Sequence, residues 1–447
     1  MEKAEILILG GGPAGLVTAG TARAYYPDKA ITLVRDVAQA VVPCGIPYIF
    51  NRLGGVDKNL IPDAGLAAQK VQLLLDTATR LDAEAHTVAF ASGRELAYEK
   101  LVLAVGSAPV QLPIPGADQA GVFYVKKDPV YLHTLYTAVH AAERIVIIGG
   151  GFIGVEFAEE IASLPRKQVS VVELLPCCLA QAFDEELCAA GAAELTALGV
   201  QLYMGCKVLQ IIGEGQATGV RLDDGTELPA DLVIFSIGAR PNVALAKEAG
   251  LTIGYSGGIW VDEYLRTTAP DIFAVGDCAE KKDFFTRKVV PVMLASTASA
   301  EARIAGANLY SLRMIRDNRG TLATFSTRLG KTTLATAGLT ERRAREEGFD
   351  IIIGQAKTVN RHPSTLPDAQ PTQVKLIFSA DSLVLLGGQV SGGQEAGELI
   401  NLIALALQNR MTANQLETLQ VATHPLLTPA PTVYPLVTAA MQAIAQS

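Results

Sequence analysis

Short unbroken apolar runs set the rhythm of the first two thirds of this chain. Ile6-Leu7-Ile8-Leu9, Ile31-Thr32-Leu33-Val34 and Leu101-Val102-Leu103-Ala104-Val105 come first. Ile145-Val146-Ile147-Ile148, Val169-Ser170-Val171-Val172 and Leu232-Val233-Ile234-Phe235 repeat the theme. Runs of this length without polar alternation predict parallel strands buried on both faces. Helical stretches separate them, one from Leu16 to Tyr25 and another ending near Ile161. The order strand, helix, strand occurs twice and predicts two βαβ units. From about Thr321 the pattern changes. Strand-like stretches at 332–336, 351–353, 374–378 and 383–386 alternate with helical ones at 340–347 and 397–408, which predicts a separate α+β domain.

Glycines fill the first turn of each βαβ unit: Gly10-Gly11-Gly12-Pro13-Ala14-Gly15 and Gly149-Gly150-Gly151-Phe152-Ile153-Gly154. In such a motif the first glycine permits the tight turn. The second lets backbone N–H groups approach a diphosphate, and the third lets helix and strand pack closely. The diphosphate then sits at the helix N-terminus, where free N–H groups and the dipole favour negative charge. Two full units predict two dinucleotide sites. The residue about 20 positions further on reads the ribose. In the second unit it is Glu173, whose carboxylate accepts from a 2′-hydroxyl and repels a 2′-phosphate, so NADH is expected there over NADPH. In the first unit the place holds Arg35, which suits a 2′-phosphate, with Asp36 next to it, which suits a ribose. The spacing leaves that choice open.

Composition narrows the class. The 447 residues are 49% hydrophobic and 18% charged, enough for several cores. The net charge of −8 argues against nucleic acid or an anionic membrane as the main partner. No apolar run reaches the length of a membrane span. The opening Met1-Glu2-Lys3-Ala4-Glu5 lacks the layout of a secretory signal, and the six cysteines show no disulfide-framework spacing, so a reducing cytoplasm is expected.

Cys44 stands in the run Pro43-Cys44-Gly45-Ile46-Pro47-Tyr48, with Ile49 at the place a Cys-x4-Cys pair would need. It reads either as a small buried hydrophobe or as a thiol cycling through a mixed disulfide, persulfide or sulfenic acid. A following helix is expected to donate N–H groups to its sulfur. The remaining cysteines, Cys177, Cys178, Cys188, Cys206 and Cys278, read as structural, and no spacing suits a metal. His424-Pro425 reads as a turn dipeptide or as an acid–base group at a subunit interface.

These residues resemble the FAD-dependent pyridine nucleotide-disulfide oxidoreductases over essentially the whole chain. The resemblance is carried by the two glycine motifs, Val105-Gly106-Ser107, Glu173, Ile237-Gly238-Ala239-Arg240-Pro241-Asn242 and Thr267-Thr268-Ala269-Pro270-Asp271-Ile272-Phe273-Ala274-Val275-Gly276-Asp277. Within it, Cys44-Gly45-Ile46-Pro47-Tyr48 is similar to the branch with one redox-active cysteine. That branch holds coenzyme A-disulfide reductases, persulfide reductases, NADH peroxidases and NADH oxidases. The resemblance implies a discontinuous FAD domain at 1–112 and 245–320, an NAD domain at 113–244 and a dimerisation domain at 321–447. The fold class expected is α/β, two Rossmann-like dinucleotide-binding domains plus a C-terminal α+β dimerisation domain.

It implies that FAD lies against Gly10, Gly12, Pro13, Ala14, Gly15, Arg35, Asp36, Val88, Ala104, Gly106, Gly276, Asp277, Ala295 and Thr297. NADH would lie against Gly149, Gly151, Phe152, Ile153, Gly154, Glu173 and Gly238. Asp277 would hold the ribityl chain, Phe152 would be an aromatic lid, and Cys44 would cover the flavin face opposite the nicotinamide. His424 of a second subunit would protonate a leaving thiolate.

Departures from the family pattern refine this. Pro13 stands where the peroxidases and oxidases carry histidine, and Arg35 replaces the usual ribose-binding glutamate. Ala40, Pro43, the stretch His362-Pro363-Ser364-Thr365-Leu366-Pro367 and His424-Pro425-Leu426 argue against coenzyme A as substrate. The expected activity is NADH-driven reduction of a disulfide, persulfide or polysulfide through Cys44, in a homodimer. The alternatives are an oxidase or peroxidase, and a reductase of an electron-carrier protein.

Overall fold

The computed structural model describes residues 2–315 and 318–447. Met1, Arg316 and Asp317, which fall within the expected first domain, lie outside them. The apolar runs become the centres of two parallel sheets. The first has the order Gln72–Leu75, Ile31–Arg35, Glu2–Leu9, Glu95–Leu103, Thr87–Phe90, Ala78–Asp82, and Ile272–Ala274 also pairs with Glu95–Leu103. Leu101 faces Leu7 on one side and Ile272 on the other, both in parallel register. Ile6, Leu7, Ile8, Leu33, Leu101, Val102 and Leu103 are completely buried, each such side chain worth about 1.5–3 kcal/mol of hydrophobic stabilisation. The first half of Glu95–Leu103 instead carries an antiparallel meander, with Val88 opposite Leu96 and Leu81.

The second parallel sheet runs Gln201–Met204, Gln168–Glu173, Arg144–Ile148, Leu232–Phe235, Val122–Tyr124. It is flanked by a three-stranded antiparallel sheet of Val208–Gly213, Ala217–Leu222 and Glu227–Pro229, which the apolar pattern did not announce. A ribbon of Ser107–Pro109 and Ala239–Pro241 is made where the chain leaves the first unit and where it returns.

The third sheet is antiparallel, in the order Phe325–Leu329, Thr332–Gly338, Leu385–Gly392, Pro371–Ser379, Ile351–Val359. Gly354, Leu376 and Gly388 lie in register across it. The missing side chains let two helices settle on that face. A Cβ on Gly354 would lie 1.9 Å from the Ala439 carbonyl oxygen in helix Pro435–Ile444, and one on Gly388 would lie 2.8 Å from Ile403 of helix Ala396–Gln408. Strand Phe325–Leu329 and helices Ala413–Glu417 and Pro435–Ile444 were not foreseen in the sequence; the other strands and α-helices of this part were, with different bounds.

Two further expectations change. The first helix runs Pro13–Tyr25, not from Leu16, because Pro13 occupies its first turn, where the absent N–H costs nothing. The residues directly after Cys44 form no α-helix. Pro43–Gly45 and Pro47–Ile49 form single 3-10 turns, whose amides are used by the turns themselves: Gly45 N–H donates to Val42 and Ile46 N–H to Pro43. No helical helix-start amides are therefore aimed at the thiol.

Candidate active site

The two glycine turns have the same construction. A Cβ on Gly10 would lie 2.1 Å from the Ala104 carbonyl oxygen, and one on Gly149 would lie 2.7 Å from that of Ser236. Both residues have φ above +100°, open to glycine alone at no cost. A Cβ on Gly15 would lie 1.9 Å from the Gly10 oxygen, and one on Gly154 the same distance from the Gly149 oxygen. The middle glycines, Gly12 and Gly151, face open space just ahead of helices Pro13–Tyr25 and Phe152–Ala162. Each turn is therefore a cradle closed behind and open in front, shaped for a diphosphate on helix-start amides.

Around the first cradle, Ala14, Ala104 and Gly276 are buried, while Gly106, Ala295 and Thr297 keep partial exposure. Asp36 is exposed beyond the strand end. Arg35 corrects one option left open by the sequence. Its side chain is 2% exposed and its guanidinium clasps both oxygens of Asp63, at 2.6 and 2.7 Å. It also donates to the Val37 and Ala38 carbonyls. Its stem underlies Gly11, so the group is held inward and does not read a 2′-phosphate. Val88 is a second correction. It is fully buried between Leu81 and Leu96, with no surface to offer a nucleotide; it is a core residue.

Asp277 is placed by ion pairs beneath and beside it. Underneath, Lys281 donates to Glu301 at 2.9 Å and to the Gly276 and Ala279 carbonyls at 2.6 and 3.0 Å, and Glu301 accepts from the Gly276 amide. Beside it, Asp277 Oδ2 accepts from Ser107 Oγ at 2.7 Å and pairs with Lys127 Nζ at 3.0 Å. Burial would raise the carboxyl pKa, but Lys127 and Ser107 outweigh it and hold Asp277 below the ordinary value. Lys127, in the connection that enters the second unit, was not singled out in the sequence. Its only signal is the doublet Lys126-Lys127 before the helix cap Asp128.

Cys44 is the exposed one of the six cysteines. The chain packed around its inner side, and then the Glu156 carboxylate, raise its thiol pKa. Lys127 opposes the rise, Asp277 adds to it, and Cys44's own amide opposes it. Segments far apart in sequence thus converge on this sulfur: the Gly276-Asp277 turn, the Lys127 connection and the helix of the second glycine motif. Glu156, on that helix, is pushed up to about 7 by burial, against a hydrogen bond from Thr327 Oγ1 at 2.8 Å. Arg52 ties the Cys44 segment to the same helix. Its guanidinium pairs with Glu159 and Glu160, both buried, and its amide donates to Glu160.

Glu156 makes a two-part prediction. Its folded-state pKa lies above the ordinary 4.5, so the native state favours the protonated form. Stability is then lost as pH rises from about 4.5 to 7, by about 3 kcal/mol at most. Glu156→Gln is expected to remove this loss in denaturation measured at pH 5 and pH 8. It is also expected to shift the pH profile of Cys44 alkylation downward; an unchanged profile would show that Glu156 does not act on the thiol.

At the second cradle Glu173 accepts from the Gly150 amide at 2.6 Å and from Leu175 at 2.8 Å, which fixes the carboxylate beside the turn. Phe152 stacks on Phe325 at 4.7 Å and leans on Phe183 at 5.9 Å. Ile153, Gly151 and Gly238 are exposed. His424 lies apart, exposed, in a turn closed by Thr428. Its Nδ1 accepts from the Leu426 amide at 3.3 Å, which leaves the proton on Nε2. His362 adjoins this turn through its amide, bonded to the Pro425 carbonyl. Among the described residues no cluster of His, Cys, Asp or Glu could hold a metal ion, and no helix is long and apolar enough to cross a membrane.

The chain belongs to the pyridine nucleotide-disulphide oxidoreductase family, which matches residues 4–302, and residues 326–433 match that family's dimerisation domain. It is an oxidoreductase of the kind that uses FAD and a nicotinamide coenzyme, and both cradles fit a dinucleotide. It is 31% identical over 398 residues to a protein of Pyrococcus horikoshii named NAD(P)H coenzyme A polysulfide/persulfide reductase, covering 87% of this chain and 88% of the relative. It is 29% identical over 425 residues to a protein of Methanocaldococcus jannaschii named NADH oxidase, covering 93% of each. An NAD-dependent persulfide reductase from A. fulgidus superposes with a TM-score of 0.90 at 29% identity, over 99% of this chain and 83% of the other.

Proposed function

We propose that this protein uses NADH, through FAD, to reduce the S–S bond of a persulfide, polysulfide or small disulfide, with Cys44 as the nucleophile. The observation that carries this is the exposed Cys44, whose thiol feels the charges of Lys127, Asp277 and Glu156, groups that belong to the elements of both cradles. FAD, bound at Gly10, Gly12, Ala14, Gly15 and Asp277, supplies the two-electron link between nicotinamide and sulfur. The chain's own groups do the rest. Lys127 offsets part of the burial and Glu156 charge that raise the Cys44 thiol pKa; as the thiolate, Cys44 attacks the S–S bond and releases a thiolate. His424 of a second subunit, with its proton on Nε2, would protonate that leaving group. The overall reaction takes NADH, a proton and RSSR to NAD⁺ and two RSH. The match of residues 326–433 to a dimerisation domain supports the two-fold homodimer that this use of His424 requires.

Glu173 favours NADH. Glu173→Arg is expected to move the ratio of kcat/KM towards NADPH by about tenfold or more, about 1.4 kcal/mol. A wild-type enzyme faster with NADPH would refute the assignment.

The sulfur acceptor is tested by anaerobic NADH oxidation against inorganic tetrasulfide, glutathione persulfide, cystine, coenzyme A disulfide and hydrogen peroxide, with O2 as a separate arm. Turnover led by tetrasulfide or persulfide supports the proposal. The relative named NADH oxidase favours a second reading, and turnover led by O2 would establish it in place of the first. Pro13, whose side chain offers no hydrogen-bonding or titratable nitrogen beside the cradle, argues for the sulfur acceptors.

A further inference from the structure

The third sheet reaches the second cradle through one strand. Phe325–Leu329 is an edge strand of that sheet. It meets helix Phe152–Ala162, whose first residue comes directly after the open glycine Gly151. Contacts join strand and helix in order along their lengths. The Phe325 ring lies flat on the Phe152 ring, with centroids 4.7 Å apart and planes 6° from parallel. Thr327 Oγ1 donates to Glu156 at 2.8 Å, and the Gly330 amide donates to Glu159 at 3.0 Å. Positions 152, 156 and 159 share one stripe of a helix, and 325 and 327 project from one face of a strand. The strand therefore runs along the helix, and Phe325 falls at its cradle end.

The two stacked rings are not held alike. Phe325 is fixed by its strand, where it pairs with Thr336, and Thr327 and Gly330 fasten that strand to the helix. Phe152 stands at the helix start and is half-buried. Its other aromatic neighbour, Phe183, is farther off at 5.9 Å and tilted by 56°. The flat contact with Phe325 is thus the main restraint on the Phe152 ring among its aromatic contacts.

We propose that Phe325 is a positioning residue of the nicotinamide site: it holds the Phe152 ring in its resting place, and that ring must leave the Phe325 face to admit a nicotinamide. The inference rests on the use of NADH proposed above, with Phe152 as the lid of that site. One stacked aromatic pair corresponds to about two- to tenfold in affinity. The third sheet, which touches neither glycine turn, thereby withholds that much of the affinity for the whole coenzyme. A ligand that fills the diphosphate cradle without a nicotinamide leaves the stacked pair intact and meets no such cost.

The test is isothermal titration calorimetry of the oxidised, FAD-loaded protein with two ligands. One is tetrahydro-NAD, a coenzyme analogue that donates no hydride, and the other is ADP-ribose, which lacks the nicotinamide. Phe325→Leu keeps an apolar side chain on the strand but cannot stack. It is expected to bind tetrahydro-NAD about two- to tenfold more tightly than the wild type, with ADP-ribose affinity unchanged. Phe325→Tyr keeps the ring and should bind both ligands as the wild type does. In Phe152→Leu the lid ring is gone, so adding Phe325→Leu should change neither affinity. Unchanged or weaker tetrahydro-NAD binding by Phe325→Leu would overturn the proposal. So would equal tightening for ADP-ribose, or the same tightening in the Phe152→Leu background. A wild-type protein that binds neither ligand would refute the coenzyme site itself and the proposal with it, so the two failures are read separately.

Discussion

Cys44→Ser is expected to lower NADH-driven reduction of tetrasulfide or persulfide by about a thousandfold or more, about 4 kcal/mol of transition-state stabilisation. Bleaching of the flavin absorbance by NADH should persist in anaerobic stopped flow. The reason is chemical. A thiol ionises far more readily than a serine hydroxyl, while the two side chains are nearly equal in size. Cys44 is exposed, so the exchange opens no cavity. The substitution therefore separates the nicotinamide half of the reaction from the sulfur half. Full sulfur reduction by this variant would mean that the Lys127 and Glu156 environment serves something else.

The second large effect concerns stability. Lys281 and Glu301 are an ion pair with both side chains at most 6% exposed. Lys281→Met leaves the Glu301 carboxyl in the core with only the Gly276 amide, and is expected to cost about 3–5 kcal/mol. Glu301 already titrates above the ordinary carboxyl range because burial outweighs its partner, so removing the partner drives it towards the neutral acid. The Gly276-Asp277 turn loses its clamp with it. The measurement is the temperature of flavin release, followed by flavin fluorescence. Lys281→Met should lower it markedly, and Lys281→Met/Glu301→Leu should recover most of the loss, because two apolar groups can replace a buried pair. Equal loss in the single and double variants would show that the charges themselves hold the turn.

Much of this was legible because buried parallel strands and glycine turns are local features of sequence. Ile6-Leu7-Ile8-Leu9 and Ile145-Val146-Ile147-Ile148 announce their strands, and Gly10 and Gly149 announce the turns that only glycine can make without strain. What stayed hidden depends on partners distant in the chain. Nothing near Arg35 says that Asp63 returns to seize it, so its charge read as an open phosphate site. Nothing near Glu301 points to Lys281, and nothing in Lys126-Lys127 says which lysine reaches Asp277. Glu159 and Glu160 look like an ordinary acidic helix face until Arg52 closes on them. Val88 went astray for a related reason: only the resemblance set it against FAD, and only the pairing with Leu81 and Leu96 shows that it lies inside the sheet.

The position of Ile272–Ala274 has a consequence for how the protein is made. This strand completes the first sheet beside Leu101–Leu103, yet the ribosome delivers it only after the entire second sheet. At typical synthesis rates the wait is roughly 10–30 s. By the end of that interval a nascent chain holds a finished nicotinamide lobe next to a flavin lobe with one raw edge, so the cell meets the half-built molecule with an apolar strand still seeking its neighbour.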